Sequence, residues 1–461
     1  MNIHNTIKFW GRKDPTIFEE IIRKNSEVID PFCGSGTTGY AAILKNSFGL
    51  LSDINPVSIF IAQNLLNRFY LNKEMMSNIR MALQDIEKKY YQIDSGYLQK
   101  IVYSTYFICP SCGKKVVPNN NGEKLSCECG KKFWQREAED ILEKIVEVMV
   151  WDRNKTKRID PAKYEEKDAS TTAWYPKRKF IYEGNKKFIN LPNFGDRVDQ
   201  IFFPRGLKAA AEVYEFINTI DDDDETKDFL KFVFIASLVS ATKMLPYSKT
   251  SGPSWKLPRY WTPPKKIETN FIRAFIRRLN YLNKFKKEWN KYVKDYKIFV
   301  DYFGNIDVRK EKYICITRCD ARELEVPKTF DMVIMDPPHY GEIMYFEMTF
   351  LWQCWLYGKE KDKRFSDFSY WKKEIDVNHK VNRNLEYFNS ELEKVVEKYL
   401  NFAPTIYLIL HNSVKQQFKT TLQILQEKWD VEIKKIMLQV PTSAQGIHGK
   451  KKKYLYLLKI K

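Results

Sequence analysis

The stretch Val28-Ile29-Asp30-Pro31-Phe32-Cys33-Gly34-Ser35-Gly36-Thr37-Thr38 decides the fold. Val28 and Ile29 form a short apolar pair that reads as a strand, and from Thr37 to Lys45 the spacing becomes helical. Between them, Gly34 and Gly36 let the backbone turn tightly and approach a ligand with no Cβ in the way. The N-terminus of the following helix offers free N–H groups to an acceptor. A second strand, Phe48 to Asp53, ends in an acid and leads to a helix from Val57 to Leu66. Upstream, Ile17, Phe18, Ile21 and Ile22 predict a helix over 16–24. Strand, glycine turn, helix and a strand ending in an acid are the opening of an α/β fold with a doubly wound, Rossmann-like sheet. Asp53 is placed to accept hydrogen bonds from ribose hydroxyls. An ordinary glycine turn is the plainer alternative, and the lack of a Lys after the glycines argues against a P-loop.

Working outward, this pattern breaks off after about residue 90. A cysteine cluster occupies 109–129, and a basic, aromatic-rich region runs on to about residue 305. Strand patterns return at Tyr313–Thr317, Met332–Met335, Thr405–Leu410 and Tyr454–Ile460. The simplest organisation is one sheet domain (1–90 and 306–461) interrupted by a cysteine ribbon (91–135) and a mainly helical, basic insertion (136–305). The acidic run Asp221–Glu225 reads as the first turn of a helix, with an ion site as the alternative.

Lys and Arg number 77 against 58 Asp and Glu, a formal net charge of +19. That excess favours a polyanionic partner, although a merely solvated lysine-rich surface would look the same. Met1 to Pro15 is charged, and the longest apolar stretch, Phe229 to Ala241, contains Lys231. Neither a signal peptide nor a membrane span is expected, and a cytoplasmic location is the default.

A second motif, Asp336-Pro337-Pro338-His339-Tyr340, follows the apolar strand Met332–Met335. Ligands of open α/β sheets bind at strand C-termini. The exocyclic amine of a nucleobase is a poor nucleophile, because its lone pair is delocalised into the ring. Asp336 and the carbonyl of Pro337 could accept its two N–H groups and localise that pair, while the prolines fix the geometry. The bland alternative is an Asp-Pro-Pro turn ending a strand.

Cys109-Pro110-Ser111-Cys112 and Cys127-Glu128-Cys129 flank a polar, hairpin-like segment, and Gly113 and Gly130 follow the two pairs. Two close thiolate pairs suit tetrahedral, structural Zn2+ bound by Cys109, Cys112, Cys127 and Cys129. A ribbon that has lost its metal and a redox pair are the alternatives.

Asp30–Thr38 and Asp336–Tyr340 resemble the N6-adenine and N4-cytosine DNA methyltransferases that use S-adenosylmethionine, and more narrowly the adenine-specific DNA methylases containing a zinc ribbon. The resemblance covers about residues 1–65 and 310–350. It implies a methyltransferase sheet in which Asp30, Pro31, Phe32, Gly34, Gly36, Thr37, Thr38 and Asp53 bind the cofactor. Phe9-Trp10-Gly11-Arg12-Lys13 is similar to the family's N-terminal motif, which brings Trp10 and Lys13 to the cofactor. Asp320 and Ala321 stand where the family has an acid contacting the cofactor adenine. The family has an aromatic ring directly after the two prolines, stacked on the flipped base. Here His339 holds that place and Tyr340 follows, so either ring could stack. Asp before the prolines leans toward adenine.

Within the insertion, Phe202-Phe203-Pro204-Arg205 is similar to a segment of the same methylases. Tyr247 to Trp261 interleaves aromatics and cations, and Lys265 to Lys297 reads as a basic helical stretch. Arg205, Lys249, Trp255, Lys256, Arg259 and Tyr260 are the candidate DNA contacts, against the alternative of a solvated lysine face over an aromatic core. The expected partners are DNA and, where the enzyme belongs to a restriction-modification pair, a restriction endonuclease. N4-cytosine methylation, RNA amino-methylation, and a zinc-ribbon binding protein with a decayed catalytic domain stay open as alternatives.

Overall fold

The computed structural model describes residues 3–461 apart from 95, 119–123, 153–154, 167–168, 185, 190–194, 249–253, 256, 307–311, 413 and 442–449. The chain forms two compact units, one made of Met1–Tyr70 with Lys284–Lys461 and the other of Leu71–Asn283.

The first unit holds an eight-stranded sheet. Its strands are β1 (Glu27–Asp30), β2 (Phe48–Asp53), β3 (Lys297–Asp301), β4 (Tyr313–Arg318), β5 (Met332–Met335), β6 (Ile406–His411), β7 (Val431–Pro441) and β8 (Lys450–Ile460). They lie in the order β3-β4-β2-β1-β5-β6-β8-β7. The pairs from β3 to β6 are parallel, and β8 alone runs against its neighbours. From β1 the chain moves to β2 on one side; after β4 it crosses to β5 on the other. β1 and β5 therefore flank the point where the winding reverses, the place where an open α/β sheet leaves a crevice beyond its strand ends. Val28 lies opposite Met332 and Ile29 opposite Val333, which carries Asp30 and Asp336 out of the sheet at the same end.

The local chemistry explains the elements. Val28, Ile29 and the run Met332–Met335 are buried on both faces, as strands central to a parallel sheet must be. Gly49 in β2 has no room for a side chain, since a Cβ there would stand 1.8 Å from the Val28 carbonyl oxygen. Asp14 caps α1 (Pro15–Ile21), whose first residue is the proline that suits that position. The helices α2 (Thr37–Leu44) and α3 (Pro56–Leu66) follow the first two strands, and Asn55 caps α3. Later come α4 (Tyr345–Tyr357), α5 (Leu385–Leu400) and α6 (Lys415–Lys428). Ile29, Leu50, Val333 and Met335 pack in one core with Val395 and Tyr399 of α5.

In the second unit, Gly96–Ile108 pairs antiparallel with Ile141–Asp152 and with Lys265–Thr269, and Lys155–Ile159 adds to the far side of Ile141–Asp152. Helices span Lys73–Tyr91, Pro204–Thr219 and Asp224–Ser237. The acidic run does begin a helix: the Asp223 side chain accepts the Thr226 N–H at 2.7 Å. The reading of Lys265–Lys297 as one helical stretch is corrected at both ends. Lys265–Thr269 is a strand, Phe271–Val293 is the helix, and Lys297 opens β3. Lysines there suggested a solvated helix face, but Lys266 is buried and its ammonium is paired with Glu143. The two ends of this unit meet at one side chain. Asn283 Oδ1 accepts the Leu71 N–H at 2.7 Å, and its Nδ2 donates to the Leu71 carbonyl at 3.0 Å. Among the described residues, no helix is long and apolar enough to cross a membrane.

Candidate active site

The loop after β1 is held from within. Asp30 Oδ1 accepts the Phe32 N–H at 2.9 Å, and Oδ2 accepts the Thr38 hydroxyl at 2.5 Å. Gly34 and Gly36 have φ of +51° and +83°, and a Cβ on Gly36 would come within 2.9 Å of the Ala62 methyl. The loop is also tied to the next strand. Asp53 Oδ2 accepts the Gly34 N–H at 2.9 Å, and Oδ1 accepts the Asn55 N–H at 2.8 Å.

These loops, the segment before α1 and the residues after β5 line one cleft that is partly open to solvent. Of the residues expected to hold a cofactor, Trp10, Lys13, Asp30, Pro31, Phe32, Gly34, Thr37, Thr38, Asp53, Asp320 and Ala321 line it. Gly36 sits behind the loop against α3. Both Asp320 oxygens are held by Arg322, at 2.9 and 2.5 Å, and Lys398 Nζ reaches the carbonyls of Ala321, Arg322 and Leu324, fixing that turn.

From the second motif, Asp336 and Pro338 line the cleft. Lys13 Nζ donates to Asp336 Oδ2 at 2.8 Å and to the Gly11 carbonyl at 3.0 Å. His339 Nε2 lies 3.1 Å from Asp336 Oδ1 and 3.2 Å from Lys13 Nζ, and its ring is 4.2 Å from that of His411. Tyr340 turns the other way. Its φ is +38°, and its ring is buried in the core, 5.5 Å from Phe388.

Burial sets the charges. It pushes the Asp30 carboxyl up to about 7 and that of Asp53 up to about 6. Burial acts the same way on Asp336, but Lys13 and His339 outweigh it and hold that carboxyl down at about 2. His339 is lowered by burial and by Lys13, which keeps its imidazole neutral near pH 7. Burial therefore weakens the charge of Asp30 and Asp53, while Asp336 stays ionised.

Sequence reasoning missed several lining residues. Tyr345 at the head of α4 stacks with Phe9 at 6.0 Å, and Trp10 stacks with Trp352 at 6.1 Å. The Tyr345 hydroxyl packs against Gly11, where a Cβ would be 2.1 Å away. Asn55 and Ser58 come from the turn into α3, and Lys373, Glu374 and Ile375 come from a loop beyond α4. Phe9 lies inside a quoted motif and could have been named, and Tyr345 lies within the 310–350 stretch of the resemblance; the 373–375 loop carries no local signal.

In the second unit, the four cysteine sulfurs lie within 4.8 Å of one another, with Cys109–Cys129 at 3.8 Å and Cys112–Cys127 at 3.5 Å. Four sulfurs at about 2.3 Å from a tetrahedral zinc stand about 3.8 Å apart, so the set fits that ion. Each pair sits on a tight turn: the Gly113 N–H returns to the Cys109 carbonyl and the Gly130 N–H to that of Cys127, both at 2.9 Å.

The candidate DNA contacts are placed differently from one another. Arg205 is buried beside the Tyr164 hydroxyl (2.6 Å), Glu166 (3.2 Å) and Glu268 (3.6 Å). Trp255 and Tyr260 are buried with rings 5.4 Å apart, and the indole N–H of Trp255 donates to the Arg259 carbonyl. Arg259 is exposed, and Lys249 and Lys256 lie outside the described residues.

Comparison with known proteins agrees with the motifs. Residues 15–145 match the D12 class N6 adenine-specific DNA methyltransferases. The chain is 22% identical over 375 residues to the type II methyltransferase M.MjaII of Methanocaldococcus jannaschii, an alignment covering 75% of this chain and 61% of that protein. No solved structure matches the chain.

Proposed function

We propose that this protein transfers a methyl group from S-adenosylmethionine to the N6 amino group of adenine in DNA. The observation that carries the reading is a single cleft lined by both Asp30 and Asp336, whose motifs lie three hundred residues apart in sequence. On this reading the first unit is a Rossmann-like methyltransferase domain, and the region within 71–283 reads the target. S-adenosylmethionine supplies the electrophilic methyl on a sulfonium.

The chain's own residues do the rest. Asp53, with each oxygen already accepting one backbone N–H, keeps lone pairs for ribose hydroxyls. A cationic ligand in the cleft would favour the ionised forms of Asp30 and Asp53, which burial disfavours. Asp336, held ionised, accepts one N–H of the flipped base while the Pro337 carbonyl accepts the other, which localises the amine lone pair as positive charge develops. Of the two candidate stacking rings, His339 is the one beside Asp336. Cys109, Cys112, Cys127 and Cys129 would hold zinc with no open position, a structural role. Cytoplasmic DNA is the substrate of this reading, and a restriction endonuclease partner accords with the type II name of the relative.

The test is transfer of labelled methyl to unmethylated genomic DNA, with total RNA in parallel and nucleosides identified by mass. N6-methyladenine in DNA, absent with Asp336→Ala, is the expected result. Label in N4-methylcytosine or in RNA alone would replace the substrate assignment, and cofactor binding without transfer would remove the activity.

A further inference from the structure

The Lys13 ammonium donates to Asp336 Oδ2 at 2.8 Å and to the Gly11 carbonyl at 3.0 Å, and it lies 3.2 Å from His339 Nε2. Its side chain is 5% exposed, whereas that of Asp336 is 18% exposed and faces the cleft. The oxygen that Lys13 occupies belongs to the carboxylate which, in the proposed reaction, must receive an N–H of the target base. We propose that Lys13 is a positioning residue that stands in for the target amine: it is the counter-ion of Asp336 while the base site is empty, and it gives up that carboxylate when the amino group arrives. The inference rests on the amino-methyltransferase reading.

Three physical arguments lead there. A buried carboxylate without a partner is strongly disfavoured, so an empty base site needs a resident cation. The ammonium and the target amine are both N–H donors of similar size, so one can replace the other on the same oxygen. The amine gains positive charge as it takes the methyl, and a lysine left beside it would oppose that charge, so the exchange must precede transfer. The Gly11 carbonyl, on the same segment as Lys13, keeps a partner for the ammonium after the exchange.

The charged and titratable groups facing Asp336 are few. Lys13 comes from the segment before α1, His339 from the loop of Asp336 itself, Asp30 from the end of β1, and Tyr345 from α4. Glu342 and His411 act one step away, through His339. Lys13 is thus the cation whose removal should expose Asp336 to the effect of burial.

The experiment compares the full-length wild type with Lys13→Met and Lys13→Arg by two readouts. The first needs no substrate: protein carrying 13C-carboxyl aspartate is titrated, and the Asp336 signal is identified by its loss in Asp336→Asn. We expect Asp336 to stay ionised below pH 4 in the wild type and in Lys13→Arg, and its titration to move up by about two pH units or more in Lys13→Met, as expected of a buried acid that loses its cation. Identical titration in all three proteins would overturn the pairing. The second readout is methyl transfer to genomic DNA between pH 5 and 9. In Lys13→Met the KM for DNA should fall about threefold or more because its internal competitor is gone, and kcat should gain an acid limb that follows the titration. A higher KM for S-adenosylmethionine with an unchanged KM for DNA would assign Lys13 to the cofactor and overturn the inference. A wild type that transfers no methyl would remove the activity and the exchange together, while the titration would still decide whether Lys13 is the counter-ion. Should Lys13→Met not fold, Lys13→Gln, which keeps a donor without charge, takes its place in both readouts.

Discussion

Gly34 donates its backbone N–H to Asp53 Oδ2 at 2.9 Å, so the glycine loop after β1 and the acid that ends β2 form one hydrogen-bonded unit. Asp53 therefore shapes the loop as well as facing the cleft. Asp53→Ala should weaken S-adenosylmethionine binding by about 10- to 100-fold, the range expected when hydrogen bonds to a charged acceptor are lost. Isothermal titration calorimetry measures this, and an unchanged affinity would move the ribose contact elsewhere.

Asp336 is held ionised beside Lys13 and His339, and its part in the proposed reaction lies in the transition state. Asp336→Asn should reduce kcat by about 100-fold or more, in line with the removal of a preorganised electrostatic group. Cofactor affinity, measured in parallel by calorimetry, should remain within about threefold of wild type, since this acid acts on the amine. A variant that loses both together would show Asp336 to be a cofactor ligand.

The raised carboxyls of Asp30 and Asp53 make a pH prediction whose sign is fixed. Between the ordinary carboxylate range and about 7, folded Asp30 holds a proton that the unfolded chain has released. The folded state then binds more protons, so this contribution to stability is present at low pH and is lost as pH rises through that window. The ligand-free protein should lose stability between pH 5 and pH 7.5, and Asp30→Asn should flatten that slope in urea titrations. A cationic ligand favours the ionised acids, so S-adenosylmethionine affinity should rise over the same interval with release of protons. A steeper slope in Asp30→Asn would refute the assignment.

For the cysteine cluster, we expect one zinc per chain by mass spectrometry, and Cys112→Ser should abolish it. Hydrogen exchange should then quicken around Phe107 and Phe133, which are buried with Cys109 and Cys127 in a small core of their own. With so few apolar residues in that core, the metal would supply much of the local folding energy. Wild type without metal, equally protected, would make the ribbon self-sufficient.

What could be read in the sequence was what local patterns encode. β2 and β5 were read with their observed bounds, because Phe48–Asp53 and Met332–Met335 are apolar runs that end at polar turns. The long strands Gly96–Ile108 and Ile141–Asp152 were not read. Their exposed faces carry lysines, glutamates and half-buried rings, so the two-residue alternation is blurred. Buried charge was equally invisible: Arg205 was named as a candidate DNA contact, yet it lies 3.6 Å from Glu268, whose side chain is 1% exposed. Trp255 and Tyr260 show the same ambiguity, since an aromatic that stacks on a base and one that fills a core are the same residue in a sequence. In the cleft, the acids of the two motifs were legible from their strand ends. The pairing of Lys13 with Asp336 was not, because it spans 323 residues and exists only once β1 and β5 lie side by side.

The Asn283 side chain grips both backbone groups of Leu71, so the first and last residues of a unit of more than two hundred residues are hydrogen-bonded to each other. Replacing such a segment by a few glycines closes a gap that is already closed, at little entropic expense. The 71–283 region thus has the build of an exchangeable cassette. Swapping in the corresponding cassette of a relative is the natural route to a chimera, and excising it is the route to a minimal chain.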